Sequence, residues 1–131
     1  FDPEFVGFHQ FWLIRDYFPE IAAYDLTIAP PLAEYEAVLG PCEIRTVSVP
    51  HDCSDGFGGA YWRRPASYLD DGARAAISSF RAVPDANPAL QRLRRDIDSG
   101  LWSKRNAALL DLHELDLGYR LIIAHGAQRT S

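Results

Sequence analysis

Cysteine is scarce in this chain, because Cys42 and Cys53 are the only two among 131 residues. Their spacing is typical neither of a zinc-binding pair nor of a disulfide framework, and the first residues do not resemble a secretory signal. We therefore expect a reducing, cytoplasmic setting and no metal site.

The chain also lacks long apolar runs and any excess of basic residues. Its longest apolar stretches are far shorter than a membrane span. The net charge of -5 gives no bulk attraction to phosphate backbones. The basic residues at 92–95 share their segment with Asp96 and Asp98, which is typical of a solvated helix face. We expect neither a membrane nor a nucleic acid as a partner.

What is present is the composition of an ordinary globular protein, 47% hydrophobic and 24% charged. The length is sufficient for one domain and not comfortably for two. The first residue is Phe1 and not Met, and we interpret the chain as a piece of a longer protein.

Apolar periodicity predicts several helices. Pro19 is expected to end the first of them, and Gly40 the second. Asn87 is expected to cap a later helix, with Pro88 at its first position. The predicted helices cover residues 8–18, 32–40, 70–80, 87–99 and 101–112, with a short one that Asp55 would cap.

Two strands are predicted, at 42–49 and at 117–125. The second is almost continuously apolar, which is typical of a strand buried on both faces. Because two strands alone make a marginal sheet, we expect this sheet to be completed by a missing segment or by another chain, for example in a homodimer. The polar tail from Gly126 is expected to fray.

The glycine-rich run DGFGG at 55–59 resembles a cofactor-binding turn only superficially. Such a turn follows a strand directly and opens a helix, whereas residues 50–54 intervene here. A tight loop in which the backbone passes close to its neighbours is the better interpretation. We expect no cofactor-binding residue in this chain.

The run HDC at 51–53 combines residue types that occur in metal sites and in nucleophilic catalysis. Three adjacent side chains of an extended segment point in different directions, which argues against a metal site. Cys53 is interpreted as a small buried hydrophobe. His51 remains open as a ligand-facing residue, because it follows a strand.

An aromatic and arginine cluster follows, with Phe57, Tyr61, Trp62 and Arg64. Flat apolar side chains beside a polar group are typical of a binding pocket. The alternative is that these residues belong to the hydrophobic core and its solvent-exposed edge. The alternating run at 112–117, with its histidine and two acids, favours a solvated loop over a catalytic carboxylate pair.

Several strings together resemble the C-terminal region of a group of bacterial class I S-adenosylmethionine-dependent methyltransferases. The resemblance covers nearly the whole chain, and its most specific part is VPHDCSDGF at 49–57. The supporting strings are FWLIRDYFPE at 11–20, AYWRRP at 60–65, YLD at 68–70, AISSF at 76–80 and LDLGYRL at 115–121.

The resemblance implies an α/β class, a partial Rossmann-like methyltransferase fold with several helices around two C-terminal antiparallel strands. Residues 1–131 would form the acceptor-side portion, which covers and shapes the site of a small-molecule methyl acceptor. The half that binds S-adenosylmethionine is absent from this sequence. The chain alone is therefore expected to be inactive and not to bind the cofactor.

The resemblance also implies site residues on the acceptor side. His51 is the candidate catalytic base, and the last strand with Tyr119 and Leu121 would serve packing. The expected substrate-binding residues are Phe11, Trp12, Asp52, Phe57, Tyr61, Trp62 and Arg64.

The competing hypothesis is a free-standing binding or oligomerisation module without catalytic activity. Such a module would present its unfinished sheet to a partner chain.

Overall fold

Antiparallel pairing joins the middle of the chain to its C-terminal part in this computed structural model, which describes residues 1–125. Strand β1 (Cys42–Thr46) pairs with β4 (Arg120–Ala124). Strand β2 (Val49–Pro50) pairs in the same sense with β3 (Glu114–Leu115). The two ladders are separated by residues 47–48 on one side and by residues 116–119 on the other.

The two predicted strands thus exist and pair antiparallel, as the resemblance implied. Two expectations about them were wrong. The run before the last strand is not only a loop, because Glu114–Leu115 pairs with β2. Strand β4 is not buried on both faces, because Leu121 is 50% exposed. Among the described residues it also has a neighbouring strand, β1, along one edge only. The tail from Gly126, which was expected to fray, lies outside the described residues.

Six α-helices are formed within residues 1–125. The predictions at 32–40 and 87–99 are confirmed by α3 and α5. The helices are α1 (Val6–His9), α2 (Pro19–Ile28), α3 (Leu32–Leu39), α4 (Asp71–Ala75), α5 (Asn87–Asp98) and α6 (Leu101–Arg105).

The other predicted helices are shorter than their apolar patterns suggested. The pattern at 8–18 divides between the end of α1 and a π-helical turn at Leu13–Tyr17. Pro19 begins the next helix, because its fixed φ suits a first position. The patterns at 70–80 and 101–112 each end in a separate 3₁₀ turn, at Ser78–Ala82 and Ala107–Asp111.

Two smaller predictions about helix ends were also wrong. Asn87 is the first residue of α5, and Ala86 takes the cap position without a side-chain hydrogen bond. No helix follows Asp55; the chain makes turns until a 3₁₀ segment at Pro65–Leu69. The capping aspartate of this region is Asp70, whose carboxylate accepts from the backbone N–H of Ala73 at 2.8 Å.

Aromatic side chains dominate the core. Trp62, Phe18 and Tyr68 have no exposed surface, and Trp12 is 1% exposed. Around Trp12 the rings of Tyr17, Tyr68 and Trp102 pack edge to face, with centroids 5.2–6.0 Å apart, the arrangement that ring quadrupoles favour. This core joins the N-terminal segment to α5, α6 and the β2–β3 pair.

Some of the apolar surface remains uncovered. Helix α3 buries none of its residues, and Val38 on it is 82% exposed. Within residues 1–125, the longest apolar helices stop well short of the length needed to cross a bilayer.

Candidate functional site

An apolar cavity of about 260 Å³ lies between the N-terminal segment, α2, the loop at 57–58 and the segment at 76–80. Its walls carry five phenylalanine rings and five aliphatic side chains. The lining residues with mainly apolar side chains are Phe1, Phe8, Phe11, Leu13, Ile14, Ile21, Phe57, Ala76, Ile77, Phe80 and Tyr119.

Asp25 brings a carboxylate into this apolar lining. It lies on α2 and is 9% exposed. The Ser79 hydroxyl donates to its Oδ1 at 3.3 Å. Burial raises the pKa of Asp25, and the hydrogen bond from Ser79 only partly opposes this. The cavity therefore contains a carboxyl group with little solvation and one weak partner.

Tyr119 adds a hydroxyl group to the same wall. Its ring packs edge to face on Phe57, with centroids 5.1 Å apart, and its Oη accepts from the backbone N–H of Gly59 at 3.1 Å. Burial raises the pKa of Tyr119 to about 12, with a contribution from the charge of Asp25. The hydroxyl is therefore protonated near neutral pH and can donate a hydrogen bond.

The loop that presents Phe57 and Gly58 to the cavity is held from inside the protein. The Tyr68 hydroxyl donates to the Gly58 carbonyl at 2.7 Å. The Arg64 guanidinium donates to the carbonyls of Cys53 at 2.6 Å and Ala60 at 3.1 Å. These bonds satisfy loop carbonyls that would otherwise face the protein interior unpaired.

The structure brings together two of the expected substrate-binding residues, since Phe11 and Phe57 both line the cavity. Trp12 and Trp62 lie in the core behind it, where each indole N–H donates to a backbone carbonyl. Tyr61 packs edge to face on Tyr68 and carries the Arg64 guanidinium 5.0 Å from its ring centre.

His51 and Asp52 lie away from this cavity. His51 lies just after β2, and its backbone N–H donates to the His113 carbonyl, just before β3, at 2.9 Å. The two imidazole rings are 6.1 Å apart, and Asp52 is exposed. The role of His51 as a base and the role of Asp52 in binding stay predictions.

Gly59 serves loop packing. A Cβ on Gly59 would lie 2.7 Å from Leu117 Cδ1 and 3.0 Å from the Tyr119 ring, so this position requires the absence of a side chain. The Gly59 N–H is already bonded to Tyr119, and turns rather than a helix follow it. Among residues 1–125, no group of three or more His, Cys, Asp or Glu residues could hold a metal ion.

Sequence reasoning missed the polar members of the cavity, Asp25, Ser79 and the hydroxyl of Tyr119. Asp25 did carry a signal, because it is the single charged residue in the apolar run IAAYDLTIA at 21–29. Carboxylates are rarely buried unless a partner compensates their charge, so one within an apolar segment is a candidate for a functional role. Ser79 and Tyr119 carried no such signal, since hydroxyl side chains occur commonly at both exposed and buried positions.

Comparison with known proteins links the chain to methyltransferases through a structural neighbour. No protein-family model matches the chain, and no curated protein matches it. A crystal structure from Anabaena variabilis ATCC 29413, provisionally assigned as a methyltransferase from an antibiotic biosynthesis pathway, is similar to 86% of this chain, with 36% identity and a TM-score of 0.78. The chain spans 48% of that neighbour's length. These findings support a methyltransferase-related role.

Proposed function

We propose that this chain is the acceptor-side part of a bacterial, cytoplasmic class I S-adenosylmethionine-dependent methyltransferase, with a partial Rossmann-like fold. The observation that carries the proposal is the likeness to the Anabaena protein, which extends over most of this chain and about half of that one. A small-molecule methyl acceptor would lie in the apolar cavity beside Asp25.

The residues of this chain do not fit the cofactor itself. The one glycine-rich run has its Gly59 N–H bonded to Tyr119 and its Gly58 carbonyl bonded to Tyr68. A cofactor turn would need free backbone N–H groups at the start of a helix. We therefore assign S-adenosylmethionine to the remaining half of the parent fold.

The acceptor role needs few catalytic groups from this chain. Methyl transfer in this class rests mainly on the proximity and alignment of two substrates. Phe11 and Phe57 would contact the acceptor from opposite parts of the chain. Tyr61 and Arg64 would support the loop that carries Phe57, and Trp12 and Trp62 would support the cavity wall from the core. His51 and Asp52 would face the side on which the cofactor binds.

The β1–β4 pair is the surface on which the remaining half of the fold would dock. Its two faces carry exposed apolar residues, with Ile44 41% exposed on one face and Leu121 50% exposed on the other. Each strand has a single partner among the described residues. Neighbouring strands from the other half would satisfy the unpaired backbone groups at both edges.

Three measurements test the proposal. Mass spectrometry of the protein purified from its natural source should give a mass well above the 14.7 kDa of this chain. That protein should also release S-adenosylhomocysteine when it is given S-adenosylmethionine and a suitable small acceptor. Calorimetry on the 131-residue chain alone should show no binding of S-adenosylmethionine. Saturable binding to this chain would contradict the assignment of the cofactor to the other half.

The second candidate is a free-standing binding or oligomerisation module, and the unpaired sheet edges favour it. Under either candidate the isolated chain should dimerise through the β1–β4 pair, because the exposed edges and apolar faces are then unprotected. A natural protein with a mass of 14.7 kDa would favour the module over the methyltransferase part. Light scattering that shows a monomer at high concentration would count against dimerisation through this sheet.

A further inference from the structure

We propose that the cavity selects a small apolar molecule of one or two rings that donates a hydrogen bond, from a hydroxyl or amine, to the Asp25 carboxylate. The inference deepens the proposed function, on which it rests for the ligand's role as methyl acceptor. The binding preference itself follows from the cavity alone.

The size and lining of the cavity set the apolar part of the ligand. An apolar cavity of about 150 Å³ takes up benzene, and this one measures about 260 Å³. Phe8 and Phe11 enter from the N-terminal segment, and Phe57 enters from the loop at 57–58. Aromatic walls contact a flat ring edge to face or offset, which favours a ring over a flexible alkyl chain.

Asp25 sets the polar part of the ligand. An ionised carboxylate offers about four acceptor positions. Within residues 1–125, the only hydrogen-bond partner of the Asp25 carboxylate is the Ser79 hydroxyl at 3.3 Å. A buried charge that lacks hydrogen bonds is unfavourable. A hydroxyl or amine on the ligand would supply the missing donor, and an apolar ring would not.

The same carboxylate excludes anionic ligands. Among residues 1–125, none of those that line the cavity is a lysine, an arginine or a histidine. A carboxylate or phosphate on the ligand would therefore meet Asp25 without a compensating positive charge. The Tyr119 hydroxyl accepts a hydrogen bond from Gly59, and within residues 1–125 it donates none. It can therefore donate to one neutral acceptor atom of the ligand.

Calorimetric titrations of the full chain test this preference with three probes of one shape: naphthalene, 2-naphthol and 2-naphthoate. Near neutral pH the chain should bind 2-naphthol about tenfold more tightly than naphthalene, since a hydrogen bond to a charged group has about that effect. 2-Naphthoate should bind more weakly than naphthalene. Equal binding of naphthol and naphthalene, or no binding of any probe, would overturn the inference.

Variants assign the preference to Asp25. Asp25→Asn should reduce the advantage of naphthol over naphthalene and relieve the penalty on naphthoate, because it removes the charge at nearly constant volume. Ser79→Ala keeps the carboxylate and should keep the preference. Asp111→Asn, at an exposed aspartate, is the matched control and should bind all three probes as the unmodified chain does.

The outcomes separate this inference from the proposed function. If the natural protein transfers no methyl group while the chain shows the naphthol preference and loses it in Asp25→Asn, the methyltransferase proposal fails and the binding inference stands. If methyl transfer occurs and Asp25→Asn retains the full preference, the binding inference is wrong. Circular dichroism of each variant shows that the comparison is made between folded proteins.

Discussion

The indole N–H of Trp12 donates a 2.7 Å hydrogen bond to the backbone carbonyl of Trp62, 50 residues away in the sequence. Trp62 in turn donates from its own indole to the Val49 carbonyl at 2.9 Å. Both side chains are almost completely buried. The two bonds join the N-terminal helical segment to the loop behind the cavity and to β2.

Trp12→Phe should lower the free energy of unfolding by about 2–4 kcal/mol, because it leaves the Trp62 carbonyl unpaired and creates a void in an aromatic core. Urea denaturation measures the change. Tyr35→Phe on the uncovered helix α3 is the control, with an expected change of a few tenths of a kcal/mol. A loss for Trp12→Phe as small as that of the control would mean that the bond contributes little.

Gly118→Ala should lower stability by about 1–3 kcal/mol, because Gly118 has a φ of +99° that residues with a Cβ rarely adopt. The new Cβ would also lie 3.1 Å from the Asp2 carbonyl oxygen. Gly58→Ala is the matched control, since its Cβ would have only an ordinary contact with Tyr119 at 3.7 Å. Thermal unfolding compares the two variants, and equal midpoints would contradict the role of the backbone angle.

Asp116→Asn should destabilise the protein near neutral pH and lose this effect in acid. Burial disfavours the Asp116 charge, but hydrogen bonds from Arg120 at 2.7 Å and from the Gly118 N–H at 2.9 Å outweigh it and lower the pKa of Asp116. A lowered pKa stabilises the fold above the ordinary value of 3.8, and the contribution is lost as pH falls through the folded value.

The Asp116→Asn effect should be about 1 kcal/mol at neutral pH, because the group is partly exposed to solvent. Urea denaturation of the variant and the unmodified chain checks the trend. It is carried out at neutral pH and at the lowest pH at which the protein remains folded. A difference between variant and unmodified chain that does not shrink toward acid pH would count against the ion pair.

Asp25→Asn should have the opposite pH dependence. The pKa of Asp25 is raised by burial, so its contribution to stability is fully present below the ordinary value and is lost as pH rises through the folded value. The asparagine variant should therefore gain stability relative to the unmodified chain as the pH increases toward neutrality. Thermal unfolding over a pH series checks this, and a relative loss with rising pH would contradict the burial of a charge at this position.

Several elements could be predicted because their signals are local. The apolar stripe of α5 with Leu90 and Leu93, and the short apolar pattern of α3 before Gly40, predicted helices that the structure confirms. Strands β1 and β4 were predicted from β-branched and apolar residues. In each case the period of the side chains, or a stop signal at the end, acts within one turn or one strand.

The long helical patterns around 8–18 and 101–112 were misjudged because tertiary packing divided them. Trp12 packs on Tyr68 and Trp102 from other parts of the chain, and the backbone adopts a π-helical turn right after it. The packing of these rings against each other outweighs the local preference of the backbone for one continuous helix. Spacing alone does not contain that information.

The sequence by itself determined the helix-forming and strand-forming segments and the aromatic content of the core. It also placed Asp25 in a run of sequence neighbours that carry no charge. Only the tertiary structure decided that Trp12 and Trp62 lie in the core, that His51 faces His113 and that Asp25 shares a cavity with Tyr119. The physical reason is distance along the chain. A periodic pattern acts over a few residues, whereas Asp25 and Tyr119 meet only because the antiparallel pairing of β1 with β4 and the packing of the aromatic core bring the two ends of the described chain together.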